Sequence, residues 1–380
     1  MLYANITTAA LCAIATASNV PAPYQISVDP KLIAEAATKA KLYRPSIGLE
    51  DRTSDTWREG PPVENMTALA RYWADEYDWL ERSTQRPNAI PLLMLHGWPS
   101  THTEWSAVLK PLTSPKDSSS PAFHVVTPDL PGFGFSPAPT RAGFGPRQAA
   151  AAFADLMKTL GYEKYGVVST DLGWWVGMFM AGDHAEHLVG HFTDFFSVSP
   201  TPADLERYSS NQTDAAENEY IGGLSAFSAG FGAYMTMQSQ GPLKLSQALN
   251  DSPVGYAGWI WPMIHAISDG YPYTLKQIVT RTLLLWVGDV YGNVRAYLEW
   301  LKPEASNFPE SDVPTGVAQW GATGPFNEIA GSVHTPRSWI ERQSNVTFFI
   351  ARDFGGHFAV EHYPDLYAQD LREFFGQLTA

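Results

Sequence analysis

The stretch Tyr165–Gly177 reads YGVVSTDLGWWVG, and its reading decides the fold. Gly166-Val167-Val168 is a short β-branched run of the kind that suits a strand covered on both faces of its sheet. From Leu172 to Ala185 the apolar residues recur at helical spacing. Asp171 therefore stands on a strand-to-helix turn, with Ser169 two places before it and Gly173 two places after. A sharp turn with small residues at those positions is a nucleophile elbow, met most often as G-x-S-x-G. The plainer explanation is an N-cap, a position Asp favours, and taken alone the stretch leaves both open. Ser169 is a poor rival nucleophile, because it precedes the turn and has no Gly two places upstream.

On either side of this stretch lie similar strand-like runs ending in Gly, Pro or Asp: IPLLMLHGWPS (90–100), FHVVTPDLPGFGFSPAP (123–139) and HLVGHFTDFFSVSP (187–200). Helical stretches separate them, and that alternation predicts a mostly parallel, doubly wound α/β sheet. From about Thr201 to Pro309 the strand signals fade. Gly, Ser, Tyr and Trp dominate there, with helical segments such as GPLKLSQALN and VRAYLEWL, so the region reads as an insertion. Sheet character returns at VPTGVAQW and NVTFFIARDF, and the chain closes with the amphipathic DLYAQDLREFFGQL. Residues 24–82 are helical and aromatic in character. The expected organisation is a leader over 1–22, an N-terminal helical meander over 23–88, a core in two parts over 89–200 and 310–380, and a helical cap over 201–309.

With 380 residues, 44% hydrophobic and 13% aromatic, the chain can bury one large core with an inserted part, or form two domains. A net charge of -14 without a local basic patch argues against nucleic acid or an anionic membrane surface as partner. There is no GxxxxGK[ST] phosphate loop. The single cysteine, Cys12, rules out a disulfide framework and a thiolate metal site. His184 and His187 in DHAEH are three apart with no third ligand evident, and no H-E-x-x-H occurs, so no metal is expected. LPGFGFS lacks the third glycine of a dinucleotide fingerprint, and no cofactor is expected. The opening MLYANITTAALCAIATASNV has the short apolar run and the Ala15-x-Ala17 pattern of a secretory leader, though no Lys or Arg at its start; it is too short to span a bilayer. Five Asn-x-Ser/Thr triplets (Asn5, Asn65, Asn211, Asn250, Asn345) tilt the expectation to secretion, with a cytoplasmic location as the alternative.

In parallel sheets the chemistry gathers at the carboxyl ends of the strands. His96-Gly97-Trp98-Pro99 follows one strand, Asp171 ends another, and Gly355-Gly356-His357-Phe358 follows the last. A lone His in a glycine-rich loop is often only a turn residue. The order of elements shifts the balance: an elbow acid in mid-chain, an HGWP loop upstream and a GGH loop after the last strand together give the nucleophile and base of an α/β-hydrolase.

The motifs carry a closer resemblance. ARYWADEYDW, LLMLHGWPS, DLPGFGFS, STDLGW, YMTMQSQGP, LNDSPVG, VPTGVA, HTPRSW and GGHFA occur in this order from roughly Pro23 to Phe375. In combination they resemble the microsomal type of epoxide hydrolase, although no single piece, HGWP included, separates that family from its relatives. The resemblance implies that Asp171 opens an epoxide and forms an ester with it, a role suited to a carboxylate that is ionised at neutral pH without a base. It implies that His357 deprotonates the water that cleaves the ester, with a second carboxylate orienting its ring. Backbone N–H groups of Trp98 and Leu172 would form the oxyanion hole. Tyr234 and Tyr297 would donate hydrogen bonds to the epoxide oxygen; among 17 tyrosines it is the motif, not the residue type, that selects these two.

The resemblance selects Glu328 in GATGPFNEIAG as the acid partner of His357, whereas pattern alone selects Asp289, because TLLLWVGD looks like a strand followed by a catalytic acid. Glu328 is preferred. The implied partners are a small apolar epoxide and water, in secondary metabolism on one view. The rival functions are a haloalkane dehalogenase, disfavoured because Leu172 stands where those enzymes usually carry Trp, and a non-catalytic ligand-binding member of the fold. Two departures stand out. The family has two further strands between Trp79 and Pro91, where this chain has only LERSTQRPNAI, so the sheet is expected to lack an edge. Trp174 stands where relatives carry a small residue that lets the helix approach the sheet. Trp259, Trp261 and Tyr256 would suit a bulky apolar substrate, or simply a well-packed cap.

Overall fold

The computed structural model describes residues 29–46, 57, 60–75, 89–115, 120–322 and 334–378. Two helices come first, α1 (Pro30–Lys41) and α2 (Val63–Asp75). Asp29 starts α1 by accepting from the Lys31 N–H at 2.9 Å, and Pro30 at the first helical position needs no partner for its nitrogen.

The sheet follows: β1 (Ile90–Leu95), α3 (Ser106–Thr113), β2 (Phe123–Val126), α4 (Pro146–Thr159), β3 (Tyr165–Ser169), α5 (Asp171–Asp183) and β4 (Leu188–Thr193). Next comes an all-helical insertion of α6 (Pro202–Ser209), α7 (Ala215–Gly230), α8 (Ala233–Gln240), α9 (Pro242–Asn250), α10 (Pro253–Ile267), α11 (Leu275–Val287) and α12 (Val290–Trp300). The chain then returns to the sheet with β5 (Pro314–Gly321), the short helix α13 (Arg337–Ile340), β6 (Asn345–Gly355), the short helix α14 (Ala359–His362) and α15 (Pro364–Leu378).

Among the described residues the sheet is wholly parallel, in the order β2-β1-β3-β4-β5-β6. Successive strand residues face opposite sides, so Leu93, Leu95 and Val167 enter one apolar cluster while Leu92, Met94 and Val168 enter the other. Both faces are covered, as the β-branched runs require. β2 and β6 are the edges of the described sheet; residues 76–88, where the family would have further strands, lie outside the described residues. The first two helices pack on α10 and α11, and the Trp57 ring stacks on His265 at 3.8 Å.

Two open readings resolve in the structure. TLLLWVGD lies in a helix, as its place in the expected helical cap requires, and is not the strand that pattern alone suggests: Thr274 and Gln277 form a capping box at the start of α11, and that helix is 13 residues long, too long and too well capped for a strand. Trp174 does not hold the elbow helix off the sheet, because its neighbours make the approach. A Cβ on Gly173 would lie 2.4 Å from the Leu95 carbonyl oxygen, and one on Gly177 would lie 2.5 Å from His191 Nε2. Trp174 points elsewhere, into a cluster with Phe196 and Phe308.

Candidate active site

Level strand ends assemble the site. Leu95 pairs with Ser169, and Ser169 with Thr193, so the residues after β1, β3 and β4 emerge side by side. Thr170, in extended conformation, is the N-cap of α5, and Asp171 is the first helical residue with φ 44°. Asp171 is thus not the N-cap residue that its type suggested. A positive φ at a non-glycine residue is strained and marks a functional turn more often than chance.

The turn aims the Asp171 carboxylate at backbone donors. Its Oδ1 accepts from the Trp98 N–H at 2.7 Å, and the Leu172 N–H also faces it. The helix N-terminus adds a favourable dipole. Gly97 permits this closeness, since a Cβ there would lie 2.2 Å from Asp171 Oδ1. The HGWP loop is itself pinned: His96 Nε2 accepts from the Leu130 N–H at 3.0 Å, so its Nδ1–H donates to the Gly97 carbonyl at 3.0 Å. DLPGFGFS is therefore a structural brace, with Asp129 accepting from the N–H groups of His102 and Phe135.

His357 faces the other carboxylate oxygen, its Nε2 4.0 Å from Asp171 Oδ2. Burial pushes the Asp171 carboxyl up, against the downward pull of His357 and of the Trp98 and Leu172 N–H groups. Burial pushes His357 down, Asp171 pulls it up and Arg281 pushes it down again; the net shift is downward, which leaves a neutral imidazole at pH 7. A buried base that is neutral and next to a carboxylate can take a proton from water.

Two phenols close the site from the insertion. The Trp98 ring stacks on Tyr234 at 5.2 Å and meets Tyr297 edge-on at 5.7 Å, and the two tyrosine rings lie 5.7 Å apart. Burial raises both hydroxyls, helped by Asp171 for Tyr234 and by Tyr234 and Asp171 for Tyr297, so both remain protonated donors. The three aromatic residues that would suit a bulky substrate are engaged in packing: the Tyr256 hydroxyl donates to Asn293 Oδ1 at 2.6 Å, the Trp259 Nε1–H to Gln238 Oε1 at 3.0 Å, and Trp261 meets Trp57 edge-on.

The two candidates for the acid partner fall differently. Glu328 lies outside the described residues, 323–333 being among those not described. Asp289 is exposed at the start of α12, where it accepts from the Tyr291 N–H at 2.9 Å and from Asn250 Nδ2 at 2.7 Å. It is a helix cap. His184 ends α5 and His187 lies in a short 3-10 turn, and among the described residues no group of His, Cys, Asp or Glu could hold a metal. Ser169 Oγ and His191 Nε2 are 2.7 Å apart, but both residues are fully buried and offer no access to a substrate.

Sequence reasoning missed a third acid. Asp194 follows β4 directly, and both its carboxylate oxygens are buried, facing the hydroxyls of Thr170 and Tyr367. Burial, with Asp171 adding to it and the hydroxyls of Thr170 and Tyr367 opposing, pushes its pKa up to about 7. The rule that carboxyl ends of strands carry the chemistry could have found it in HFTDFF. Arg281 and Glu104, both buried, gave no such signal.

A carboxylate on a strained elbow, an imidazole facing it and backbone donors behind it define a hydrolase of the α/β-hydrolase fold. A family profile described as alpha/beta hydrolase fold matches residues 90–231, and one described as epoxide hydrolase N terminus matches residues 21–85. A Stigmatella aurantiaca protein assigned as an epoxide hydrolase is 30% identical over 94% of this chain and 85% of its own. Epoxide hydrolase 1 of Sus scrofa is 27% identical over 94% of this chain and 88% of its own. The solved epoxide hydrolase of Aspergillus niger superposes with a TM-score of 0.79, at 24% identity over 94% of this chain and 96% of that one. The chain belongs to the epoxide hydrolase family of the α/β-hydrolase fold.

Proposed function

We propose that the protein opens an epoxide to a vicinal diol through a covalent ester on Asp171. The observation that carries this is the division of labour between the two oxygens of Asp171: Oδ1 rests on the Trp98 N–H, and Oδ2 is directed to the space before His357. In the first step Oδ2 attacks an epoxide carbon and the C–O bond breaks. Tyr234 and Tyr297, in a cap formed by the helical insertion, hydrogen-bond the departing oxygen and supply its proton. In the second step His357 takes a proton from water, and the hydroxide adds to the ester carbonyl carbon. The Trp98 and Leu172 N–H groups hold the resulting oxyanion. Its collapse expels the diol oxygen, which takes the proton from His357, and the acid left on Asp171 returns its proton to the phenolate, which regenerates both the carboxylate and the tyrosine.

The new oxygen of the diol then comes from Asp171, not from solvent. In a single turnover of styrene oxide in isotopically labelled water, the diol should be unlabelled and the protein labelled. Label appearing directly in the diol would show that water attacks the epoxide, and Asp171 would lose its role. His357→Gln should trap the ester, visible as a mass increase on the peptide containing Asp171. A role in opening epoxides during secondary metabolism fits the same chemistry, and a screen of styrene oxide, aliphatic and polyene epoxides, with haloalkanes as controls, identifies the substrate class.

A further inference from the structure

The loop that carries His357 is held by the helical insertion at several points. The His357 N–H donates to the Ile267 carbonyl at 2.7 Å, and the Gly355 N–H donates to Asp269 Oδ2 at 3.0 Å. A Cβ on Gly356 would lie 2.6 Å from that same Ile267 oxygen, so the loop lies directly on the end of α10. Just after the base, Glu361 pairs with Arg281 of α11. The Tyr273 hydroxyl is 2.9 Å from Glu361 Oε2 and 3.0 Å from His362 Nε2. His362 Nδ1 is 2.9 Å from the Gly355 carbonyl and must donate to it, and the Tyr271 ring stacks on His362 at 4.1 Å. The Arg281 guanidinium stands 4.3 Å from the centre of the Phe358 ring, the residue next to His357.

Arg281 is only 5% exposed. A buried cation costs several kcal/mol to desolvate unless it is well paired. Its field acts on two carboxylates, Glu361 of α14 and Glu104 of the 3-10 turn that follows the HGWP loop, and on His357. Arg281 thus joins the insertion to the two loops that carry the oxyanion donor and the base. A purely structural contact between these elements would be made more cheaply by apolar side chains.

We propose that Arg281 is a positioning residue for the general base: the insertion plants its charge on Glu361 to fix the loop of His357, so that insertion and base move as one body. This rests on His357 being the base of the proposed reaction. The charged and titratable groups of the elements packed around that ring are Asp171 from α5, Asp194 after β4, Arg281 from α11, Asp269 after α10, Tyr273 before α11, Glu104 from the 3-10 turn, and Glu361 and His362 from α14.

The test needs no substrate, so it separates this proposal from the reaction itself. The titration of the His357 ring is followed by nuclear magnetic resonance, assigned by its absence from His357→Gln. Exchange of the His357 amide is measured alongside it. Arg281→Met should raise the midpoint by roughly half a unit or more, because a neighbouring positive charge is lost. Glu361→Gln should lower it, because Arg281 is then less neutralised. Arg281→Lys should return it close to the parent value. In both charge-removing variants the His357 amide should exchange at least about tenfold faster as its bond to Ile267 loosens. If Arg281→Met does not fold, the downward shift in Glu361→Gln and the rescue in Arg281→Lys still decide. A midpoint unmoved in folded variants, or moved in the same direction by both charge removals, overturns the proposal, as does unchanged amide exchange. If these shifts appear and no ester forms on Asp171 with an epoxide, the reaction assignment fails while the link between Arg281 and His357 stands.

Discussion

Gly97→Ala is the smallest change that should disable the site. A Cβ at residue 97 would lie 2.2 Å from Asp171 Oδ1 and 2.3 Å from its Cβ. Ordinary contact needs about 3.5 Å, so loop and elbow must separate by about 1 Å. The bond from the Trp98 N–H to Oδ1, now 2.7 Å, is made by the very next residue and would be drawn out of hydrogen-bonding range. A hydrogen bond to a charged group contributes about 1.5–3 kcal/mol, and 1.36 kcal/mol is tenfold in rate. Turnover should therefore fall by roughly 10- to 150-fold while the protein stays folded. The assay is diol formation from a substrate the parent enzyme accepts, with thermal melting to report the fold. Gly222→Ala is the control: a Cβ there meets nothing within 4 Å, so in helix α7 it should stabilise by about 0.5–1 kcal/mol and leave turnover alone. A folded Gly97→Ala enzyme with turnover within about threefold of the parent would refute the close packing of loop and elbow as a requirement.

Three further outcomes are expected. Tyr234→Phe and Tyr297→Phe should each slow ester formation by roughly 10- to 100-fold, and the double variant should be nearly inactive; full activity in the double variant would remove the phenols from the reaction. Asp194 has a pKa near 7 in the folded state and about 3.9 unfolded, so between these values only the folded state holds its proton, and the stability it contributes falls as pH rises from 4 to 7. Asp194→Asn, which keeps the neutral form, should match the parent in urea unfolding near pH 4 and exceed it at pH 8; the same difference at both pH values would contradict this. Glu328→Gln should accumulate the Asp171 ester and lower turnover by orders of magnitude, whereas Asp289→Asn should change it modestly, and the reverse pattern would transfer the acid role to Asp289.

The parts of the fold that could be read in advance are those where one residue type has one physical use. Strand-like apolar runs ending in Gly, Pro or Asp marked β1, β2, β3 and β4, because a parallel sheet covered on both faces buries such runs on both sides. Asp171 was legible because small residues flank it at elbow spacing, and Tyr234 and Tyr297 because of the family motifs around them. What could not be read depends on directions that sequence does not encode. TLLLWVGD has the composition of a strand, so pattern alone misplaces it and only the match to the family's cap puts it in the insertion; its helical state follows from a capping box seven residues before Arg281 and from packing there. Trp174 looked like an obstruction because its residue type was visible and its direction was not. Asp194 and Glu104 look like any loop acids in sequence, and it is the burial of their carboxylates that sets them apart.

The insertion touches the proposed reacting groups at two places, and the two differ in kind. Through Tyr234 and Tyr297 it presses on the ring of Trp98, whose N–H holds the carboxylate in the resting enzyme. The phenols that would assist ring opening thus also hold the residue that would stabilise the second step. Through Ile267, Tyr273 and Arg281 it grips the loop of His357. On the proposed reaction, the tyrosines that face the epoxide and the geometry of ester hydrolysis are therefore coupled. Enlarging the cap to admit a bulkier epoxide by changing α8 or α12 would loosen Trp98, and the loss would appear in ester hydrolysis as well as in substrate fit. Changes in α6 make neither contact, so substitutions on its exposed face can alter the surface of the protein without altering either step.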